Sequence, residues 1–281
     1  IPNKDFLEMF LDAKKIEGCS ERTLQYYRVT VEHLLSQMGN SVRKVTTEEI
    51  RTYLADYQKN SNCSNVTIDN IRRNISSFFS WLEEEDYILK SPMRRIHKIK
   101  TKTVVKNTIS DESIEKLRDH CTEIRDLAII DLLYSTGIRV GELVNLNIDD
   151  IDLEGRECIV YGKGDKERRV YFDAKAKVHL KEYIEGRKDE NKALFVTLDA
   201  PYDRLKISGV EIRLRQLGRK LDLEKIHPHK FRRTMATRAI DKGMPIEQVQ
   251  KILGHSQIDT TMQYAMVNQN NVKTSHQKYM S

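Results

Sequence analysis

Several separate stretches of the sequence carry side chains that together suit chemistry on a phosphate. These side chains are Arg139, Lys163, His229, Arg232, His255 and Tyr264. Guanidinium groups bind phosphate oxygens through paired hydrogen bonds, a lysine can protonate a leaving oxygen, and a tyrosine oxygen can act as a nucleophile. Several cations and a tyrosine, with no cluster of metal ligands, predict phosphoryl transfer through a covalent phosphotyrosine.

The stretch that ends at Tyr264 organises this hypothesis and reads LGHSQIDTTMQY. Gly254 favours the left-handed conformation that ends a helix, and Ser256 with Asp259 predicts a capping pair that begins the next one. His255 is then held in the turn, and Tyr264 lies on the following short helix. Taken alone, the stretch is more typical of a helical hairpin with a buried tyrosine.

Two further cations lie beside glycines. Arg139 follows Gly137, which predicts a helix end, so its guanidinium can reach a bound phosphate. Lys163 lies on a predicted hairpin turn between two glycines, which leave its ammonium group unobstructed. Each feature alone is commonplace, and Lys166 competes with Lys163 for the role of proton donor.

A predicted helix start supplies the remaining pair. Pro228 suits the first turn of a helix, and His229 and Arg232, three residues apart, then project from one face. The free N–H groups and the dipole of the helix start attract an anion to the same place. His227 lies outside the helix, and we expect no role for it.

The overall composition bounds the class of protein. The 281 residues carry 48 Lys and Arg against 42 Asp and Glu, a net charge of +6, and the pI is about 9.0. This mild excess favours a polyanionic partner without requiring one. The four cysteines form no CxxC pair, which argues against a zinc site. Their spacing leaves disulfides open, but a reduced, cytoplasmic protein is the simpler interpretation. P-loop and GxGxxG patterns, a membrane-spanning apolar run and a signal peptide are also absent from the sequence.

Hydrophobic periodicity predicts a mainly α-helical protein with a small antiparallel β-sheet. Residues 1–90 carry four amphipathic helices, which predict a compact helical domain. Residues 91–107 are basic and contain a helix-breaking proline, so we expect an interdomain linker there. Residues 108–281 predict a mostly helical second domain with strands at Cys158–Tyr161 and Arg168–Phe172.

Basic residues of the first domain and the linker are candidates for gripping phosphates, because neutralising phosphates releases counterions and strengthens binding. On most helices such residues are simply the solvated face, and a flexible basic connector is the alternative for the linker. The candidates are Arg22, Arg28, Arg43, Lys44, Arg72, Arg73, Arg94, Arg95, Lys98, Lys100 and Lys102.

The segments TGIRVGELVNL, GKGDKERRVYF, HPHKFRRTMAT and LGHSQIDTTMQY, in this order, resemble those of the tyrosine recombinase (phage integrase) family. The resemblance is strongest to its Xer-like and transposon-integrase members. It covers nearly the whole chain and implies a SAM-like core-binding domain followed by a mixed α/β catalytic domain. It also implies that Tyr264 attacks a DNA phosphate, leaving a 3′-phosphotyrosyl link, while Lys163 protonates the departing 5′-hydroxyl and Arg139 and Arg232 clamp the phosphate oxygens.

The same resemblance gives roles to three other residues. His229 would assist proton transfer with the tyrosine, His255 would hydrogen-bond the phosphate, and Glu142 matches the acidic position that supports the site. One departure is visible, since Arg233 stands where many members carry a histidine. The Arg232 role survives this change, whereas the local hydrogen bonding is expected to differ.

The resemblance implies a homotetramer on double-stranded DNA, monomeric when free, that passes through a Holliday junction and uses neither ATP nor a divalent metal. Accessory DNA-bending or excision factors are further expected partners, and a polar tail over residues 265–281 is expected to dock on a neighbouring subunit. Two alternatives stay open at this point. A type IB topoisomerase shares the chemistry, and a non-catalytic DNA-binding accessory protein shares the basic surface.

Overall fold

The computed structural model describes residues 1–101, 107–162 and 167–265, and the chain divides into two compact units, residues 1–104 and 105–281. The described residues are mainly helical with one small antiparallel sheet, which confirms the predicted fold class. Each unit has a hydrophobic core of its own. Among the described helices, none combines the length and apolar character that a membrane span requires.

The first unit is built from four amphipathic helices. They are α1 (Asn3–Ile16), α2 (Glu21–Gln37), α3 (Thr47–Ser61) and α4 (Asn65–Glu84). Ser20 accepts a hydrogen bond from a backbone N–H of the first turn of α2, and Thr46 forms a capping box with Glu49 at the start of α3. The apolar faces meet around fully buried Phe10 and Phe78, whose rings pack edge to face.

The basic segment after α4 is attached to this helical unit. The backbone N–H of Ile99 donates to Asp69 Oδ1 at 3.0 Å, and Asn65 Nδ2 donates to the carbonyl of Lys100 at 3.0 Å. Residues 91–101 of the expected linker therefore lie along the first unit, while residues 102–106 lie outside the described residues.

The described part of the second unit contains the remaining helices. They are α5 (Asp111–Asp119), α6 (Ile124–Thr136), α7 (Val140–Asn145), α8 (Ala174–Glu185), α9 (Ile207–Lys220), α10 (Pro228–Asp241), α11 (Ile246–Leu253) and α12 (Ile258–Ala265). The apolar α6 supplies fully buried Ile130, Leu132 and Leu133 to the main core. Gly137 and Gly254 end α6 and α11 in the left-handed conformation, at φ 63° and 64°, as the sequence predicts.

An antiparallel sheet of three strands completes the described second unit. Its strands are β1 (Ile151–Asp152), β2 (Glu157–Tyr161) and β3 (Glu167–Tyr171), in that order. The hairpin of β2 and β3 was predicted, with Val160 now seen opposite Arg168. The strand β1 was not, because two residues are too short to show alternation.

The start of α12 differs from the sequence prediction. This helix begins at Ile258, so Gln257 rather than Ser256 immediately precedes it. The predicted capping pair of Ser256 with Asp259 is wrong, since its capping serine lies one residue too early.

Candidate active site

Arg139 lies where two helices meet at a sharp turn. Gly137 adopts the left-handed conformation there, and a Cβ on it would lie 2.4 Å from Met235 Cε. Arg139 precedes α7, and its backbone N–H donates to Glu142 Oε2 at 2.7 Å. Its side chain is 39% exposed, so the guanidinium can reach an incoming anion.

Arg232 joins the ends of two other helices from a buried position on α10. Its guanidinium donates to the carbonyl of Gly137 at 2.7 Å and to the carbonyl of Leu253 at 2.5 Å. Burial, together with the charge of Arg139, lowers the pKa of Arg232 to about 10, which leaves the group charged at neutral pH. The bonds hold the turn after α6 and the turn after α11 against one cation.

His255 lies in the turn after α11, as predicted, and contacts Arg232 and the last helix. Its Nε2 lies 3.1 Å from Arg232 Nη2, and its Nδ1 lies 2.8 Å from Thr261 Oγ1. A guanidinium has no acceptor, so Nε2 accepts, and the imidazole is neutral with its proton on Nδ1. Burial and the neighbouring arginines lower the pKa of His255 to about 4, consistent with this neutral form.

Tyr264 lies beside His255 within the same chain. The two rings are stacked, with centroids 6.1 Å apart. Tyr264 is half-buried and packs against a small apolar cluster formed by Ala236, Val249 and Leu253. The short helix α12 therefore carries the phenol to the edge of the Arg232 and His255 cluster.

His229 is exposed on the first turn of α10. Loss of hydration lowers the pKa of His229, and the positive charges of Arg232 and Arg139 lower it further. The positive charges of the two arginines therefore disfavour protonation of His229. Lys163, the remaining predicted member of the set, lies outside the described residues.

Glu142 is buried beneath the cluster and has an arginine partner that the sequence motifs did not reveal. Arg168 of β3 donates to both carboxylate oxygens, at 2.5 and 2.7 Å, and its Nε donates to the carbonyl of Ile252 at 2.9 Å. Burial alone would raise the pKa of Glu142, but hydrogen bonds from Arg168 and Arg139 outweigh it and lower the pKa. A signal was available in the alternation of β3, where Arg168 falls on the same face as buried Val170.

Arg233, which departs from the histidine that many family members carry, contacts the first described residues of the second unit. Its guanidinium donates to the carbonyl of Asn107 at 2.8 Å, close to where Ile109 donates its backbone N–H to Thr234. The arginine thus holds the first described residues of this unit against α10.

The basic candidates of the first unit fall into two groups. Arg28 and Arg72 are half-buried and engaged by carboxylates, with bonds of 2.8 Å to Glu8 and to Asp69. The others are exposed, although three of them also have partners: Arg73 and Arg94 are paired with acids, and Arg43 lies over aromatic rings. The exposed candidates are Arg22, Arg43, Lys44, Arg73, Arg94, Arg95, Lys98 and Lys100, while Lys102 lies outside the described residues.

Metal ligands are not grouped in the described part of the chain. There, no cluster of three or more His, Cys, Asp or Glu side chains is placed to hold an ion. The four cysteines are free thiols, and Cys158 is buried.

Two family models match the chain in sequence. The model of the phage integrase family matches residues 101–271, and the model of the phage integrase N-terminal SAM-like domain matches residues 6–89. The tyrosine recombinase XerC of Oceanobacillus iheyensis is 30% identical over 97% of this chain and 95% of its own length. The tyrosine recombinase XerA of Saccharolobus solfataricus is 28% identical over 99% of this chain and 93% of its own length.

Solved structures give the same result at the level of the fold. A crystal structure of XerA recombinase is 27% identical, with a TM-score of 0.57, over 100% of this chain and 99% of that one. The Tn1549 transposon integrase in complex with transposon right end DNA has a TM-score of 0.82 at 19% identity, covering 98% of this chain and 99% of that one.

Proposed function

Since the chain belongs to the phage integrase family and is a tyrosine-type site-specific recombinase, we propose that it cleaves and rejoins DNA strands through a 3′-phosphotyrosyl intermediate on Tyr264. The observation that carries this proposal is the convergence around Arg232. This buried cation bonds the turns after α6 and α11, contacts His255 at 3.1 Å, and lies beside the helix of Tyr264. The neighbour named as a complex with transposon DNA supports DNA as the substrate.

The cleavage step is a displacement at phosphorus. The phenol oxygen of Tyr264 attacks, the bond from phosphorus to the 5′-oxygen breaks, and the departing oxygen leaves as a 5′-hydroxyl after gaining a proton from Lys163. His229 assists removal of the phenol proton. The second strand's 5′-hydroxyl then attacks the phosphotyrosine and releases Tyr264, so the number of phosphodiester bonds is conserved and neither ATP nor a metal ion enters the balance.

The cations have separate tasks in this scheme. Arg232 uses three of its five N–H donors on the protein, and we assign the remaining two to a non-bridging oxygen. Arg139 is held by Glu142 but exposed, which suits a second contact to the phosphate. Both would stabilise the charge that builds up on the phosphate oxygens in the transition state.

His255 must change its hydrogen bonding to contact the phosphate. Its Nε2 accepts from Arg232 in the structure. Once Arg232 turns its donors to a phosphate, we propose that His255 exchanges its proton from Nδ1 to Nε2 and donates to the same anion. Thr261 can then donate its hydroxyl proton to Nδ1, because a hydroxyl serves as donor or acceptor.

The wider assembly follows from the same function. We assign DNA contacts to the exposed basic residues of a core-binding domain over residues 1–90 and of the segment 91–107, and catalysis to residues 108–281. Two rounds of strand exchange through a Holliday junction call for a homotetramer on DNA, with the tail at 265–281 docking in trans and accessory DNA-bending factors assisting. Acting on cellular DNA, the protein would work in the cytoplasm. The topoisomerase and non-catalytic alternatives are not favoured, because the family models and curated relatives are integrases and recombinases.

Covalent capture on a nicked DNA substrate tests the proposal. Because the short nicked fragment diffuses away after cleavage, the phosphotyrosyl adduct accumulates and migrates as a protein–DNA species. We expect an adduct with the wild type and with Tyr279→Phe, the matched control in the tail, and none with Tyr264→Phe, which should still bind DNA. An adduct in Tyr264→Phe would refute the assignment of the nucleophile.

A further inference from the structure

Arg168 connects the β2–β3 hairpin to two parts of the site. Through Nη1 and Nη2 it grips Glu142, which in turn holds Arg139. Through Nε it donates to the carbonyl of Ile252, at the end of the helix before His255. Its side chain is only 12% exposed, so these bonds are made away from bulk water.

The turn that carries His255 rests directly on this guanidinium. A Cβ placed on Gly254 would lie 3.0 Å from Arg168 Cδ, 3.1 Å from Nε and 3.2 Å from Cζ. These distances are shorter than most Cβ contacts, so a side chain at this position would require Arg168 to shift. Arg168 therefore helps to set the position of His255 relative to Arg139 and Arg232.

Arg168 also determines how strongly Glu142 holds Arg139. The carboxylate accepts two bonds from Arg168 and two from Arg139, one of them from the Arg139 backbone. Without Arg168, this buried carboxylate would depend on the Arg139 guanidinium for charge neutralisation, and a phosphate would have to compete for it. With Arg168 in place, Arg139 can turn to a phosphate while Glu142 stays neutralised.

We propose that Arg168 is a positioning residue for strand cleavage, which fixes the Gly254–His255 turn and frees Arg139 to bind the phosphate. The inference rests on the proposed function, because it concerns the same cleavage step. It adds a residue to which the cleavage scheme assigns no contact with DNA or with the nucleophile. It also links the β2–β3 hairpin to the turn that precedes the helix of Tyr264.

Single-turnover cleavage of the nicked substrate at saturating DNA tests this inference. Arg168→Gln should lower the cleavage rate about a hundredfold, since a shift of about 1 Å in catalytic groups can have that effect, with DNA affinity nearly unchanged. Arg168→Lys keeps the charge but not the planar fork, so it should recover part of the rate. The matched control is Arg125→Gln, because Arg125 is also a buried arginine bonded to a carboxylate and a backbone carbonyl, in this case Asp126 and Val196.

The pH profile gives a second readout that loss of stability alone would not change. Glu142 faces Arg139, Arg168, Arg232 and Cys158. Removing Arg168 takes away its largest stabilising partner, so the acid limb of the cleavage rate should move to higher pH in Arg168→Gln, and this shift should be absent from Glu142→Gln/Arg168→Gln. The double variant provides the test if Arg168→Gln alone does not fold. It should cleave more slowly than the wild type, because the hydrogen bond from Arg168 to the carbonyl of Ile252 is lost.

The results of these experiments distinguish the positioning role of Arg168 from the proposed recombinase function. A wild-type rate in folded Arg168→Gln or in the double variant would overturn the positioning role while leaving the recombinase function intact. An equal loss in Arg125→Gln would also overturn it, since the effect would then be general. Failure of the wild type to form any adduct would instead refute the proposed function itself.

Discussion

His255 donates a hydrogen bond through Nδ1 to Thr261 Oγ1 at 2.8 Å, across the start of the helix that carries Tyr264. Thr261 is fully buried, so its hydroxyl has little access to water as an alternative partner. The bond gives the Nδ1 proton of His255 an acceptor and ties the proposed nucleophile helix to the turn after α11. Neither consequence is visible in the spacing of the motif, because it depends on which face of a short helix is turned inward.

Thr261→Val should therefore slow cleavage while preserving DNA binding. Valine has the same shape but cannot accept the proton of Nδ1, and one lost hydrogen bond of about 1 kcal/mol corresponds to a rate about fivefold lower. Single-turnover adduct formation measures the effect. The control is Thr260→Val, because Thr260 is exposed on the same helix. Equal rates for the two variants would show that the His255 contact is unimportant.

Substitutions of Arg232 and Arg139 should differ in their effect on stability, although both should reduce cleavage. Arg232→Gln leaves the buried carbonyls of Gly137 and Leu253 without their donor, so we expect a loss of about 3 kcal/mol in the free energy of unfolding as well as of activity. Arg139→Gln, at a side chain 39% exposed, should lose activity with about 1 kcal/mol or less of stability. Urea unfolding beside adduct formation checks this, and comparable destabilisation of both variants would contradict the assigned burial.

The lowered pKa of His255, about 4 in the folded protein, predicts a stability loss in acid. Its unfolded pKa is about 6.5, so the unfolded state takes up the proton first as the pH falls. The contribution of the neutral imidazole to stability is fully present above pH 6.5 and is lost as the pH falls toward 4. The loss by pH 5 is at most about 2 kcal/mol.

Urea unfolding of the wild type and of His255→Asn at pH 8 and pH 5 measures this contribution. The difference between the two pH values should be smaller in His255→Asn, which cannot titrate at this position. His120→Asn is the control, because His120 is an exposed histidine elsewhere in the unit. If His255→Asn and the wild type lost the same stability, the imidazole would not be buried as described.

Gly254→Ala should be more harmful than Gly243→Ala. Both glycines have positive φ, 64° and 91°, so both substitutions strain the backbone by about 1 kcal/mol. Only at Gly254 would the new methyl meet Arg168, at 3.0 Å, whereas nothing lies within 4 Å at Gly243. We expect the additional effect of Gly254→Ala to appear as slower adduct formation. Equal rates in the two variants would mean that the turn does not depend on Arg168.

DNA binding should depend on exposed rather than paired basic residues. Lys98→Ala/Lys100→Ala should weaken binding and reduce the slope of log K against log salt by about 2, because two phosphate contacts would be lost. Arg28→Ala should leave the slope unchanged and lower stability, because Arg28 already bonds Glu8. A changed slope for Arg28→Ala alone would reverse this assignment. Titrations at several salt concentrations distinguish the cases.

Local signals in the sequence determined much of the fold in advance. Caps such as Thr46 and helix-ending glycines such as Gly137 act within a few residues, so their effect can be predicted without tertiary structure. The grouping of Arg232 and His255 was anticipated only because several motifs occur together. Each motif taken alone has a more ordinary structural interpretation.

Features that depend on long-range partners were not predictable in the same way. Arg168 stands among other charges in its strand, and its role becomes evident only when Glu142 and Ile252 are seen to converge on it. The attachment of the basic segment after α4 depends on Asp69, thirty residues before Ile99. The composition of that segment alone predicted a connector.

The most direct test of the central claim is to identify the residue that holds DNA in the trapped adduct. Trypsin would place Tyr264 in the peptide of residues 252–273, where it is the sole tyrosine, and Tyr279 in a separate C-terminal peptide. After nuclease trimming, mass spectrometry should find a 3′-linked nucleotide on Tyr264. A nucleotide on Tyr279 or on any other residue, or a linkage through the 5′-phosphate, would contradict the account.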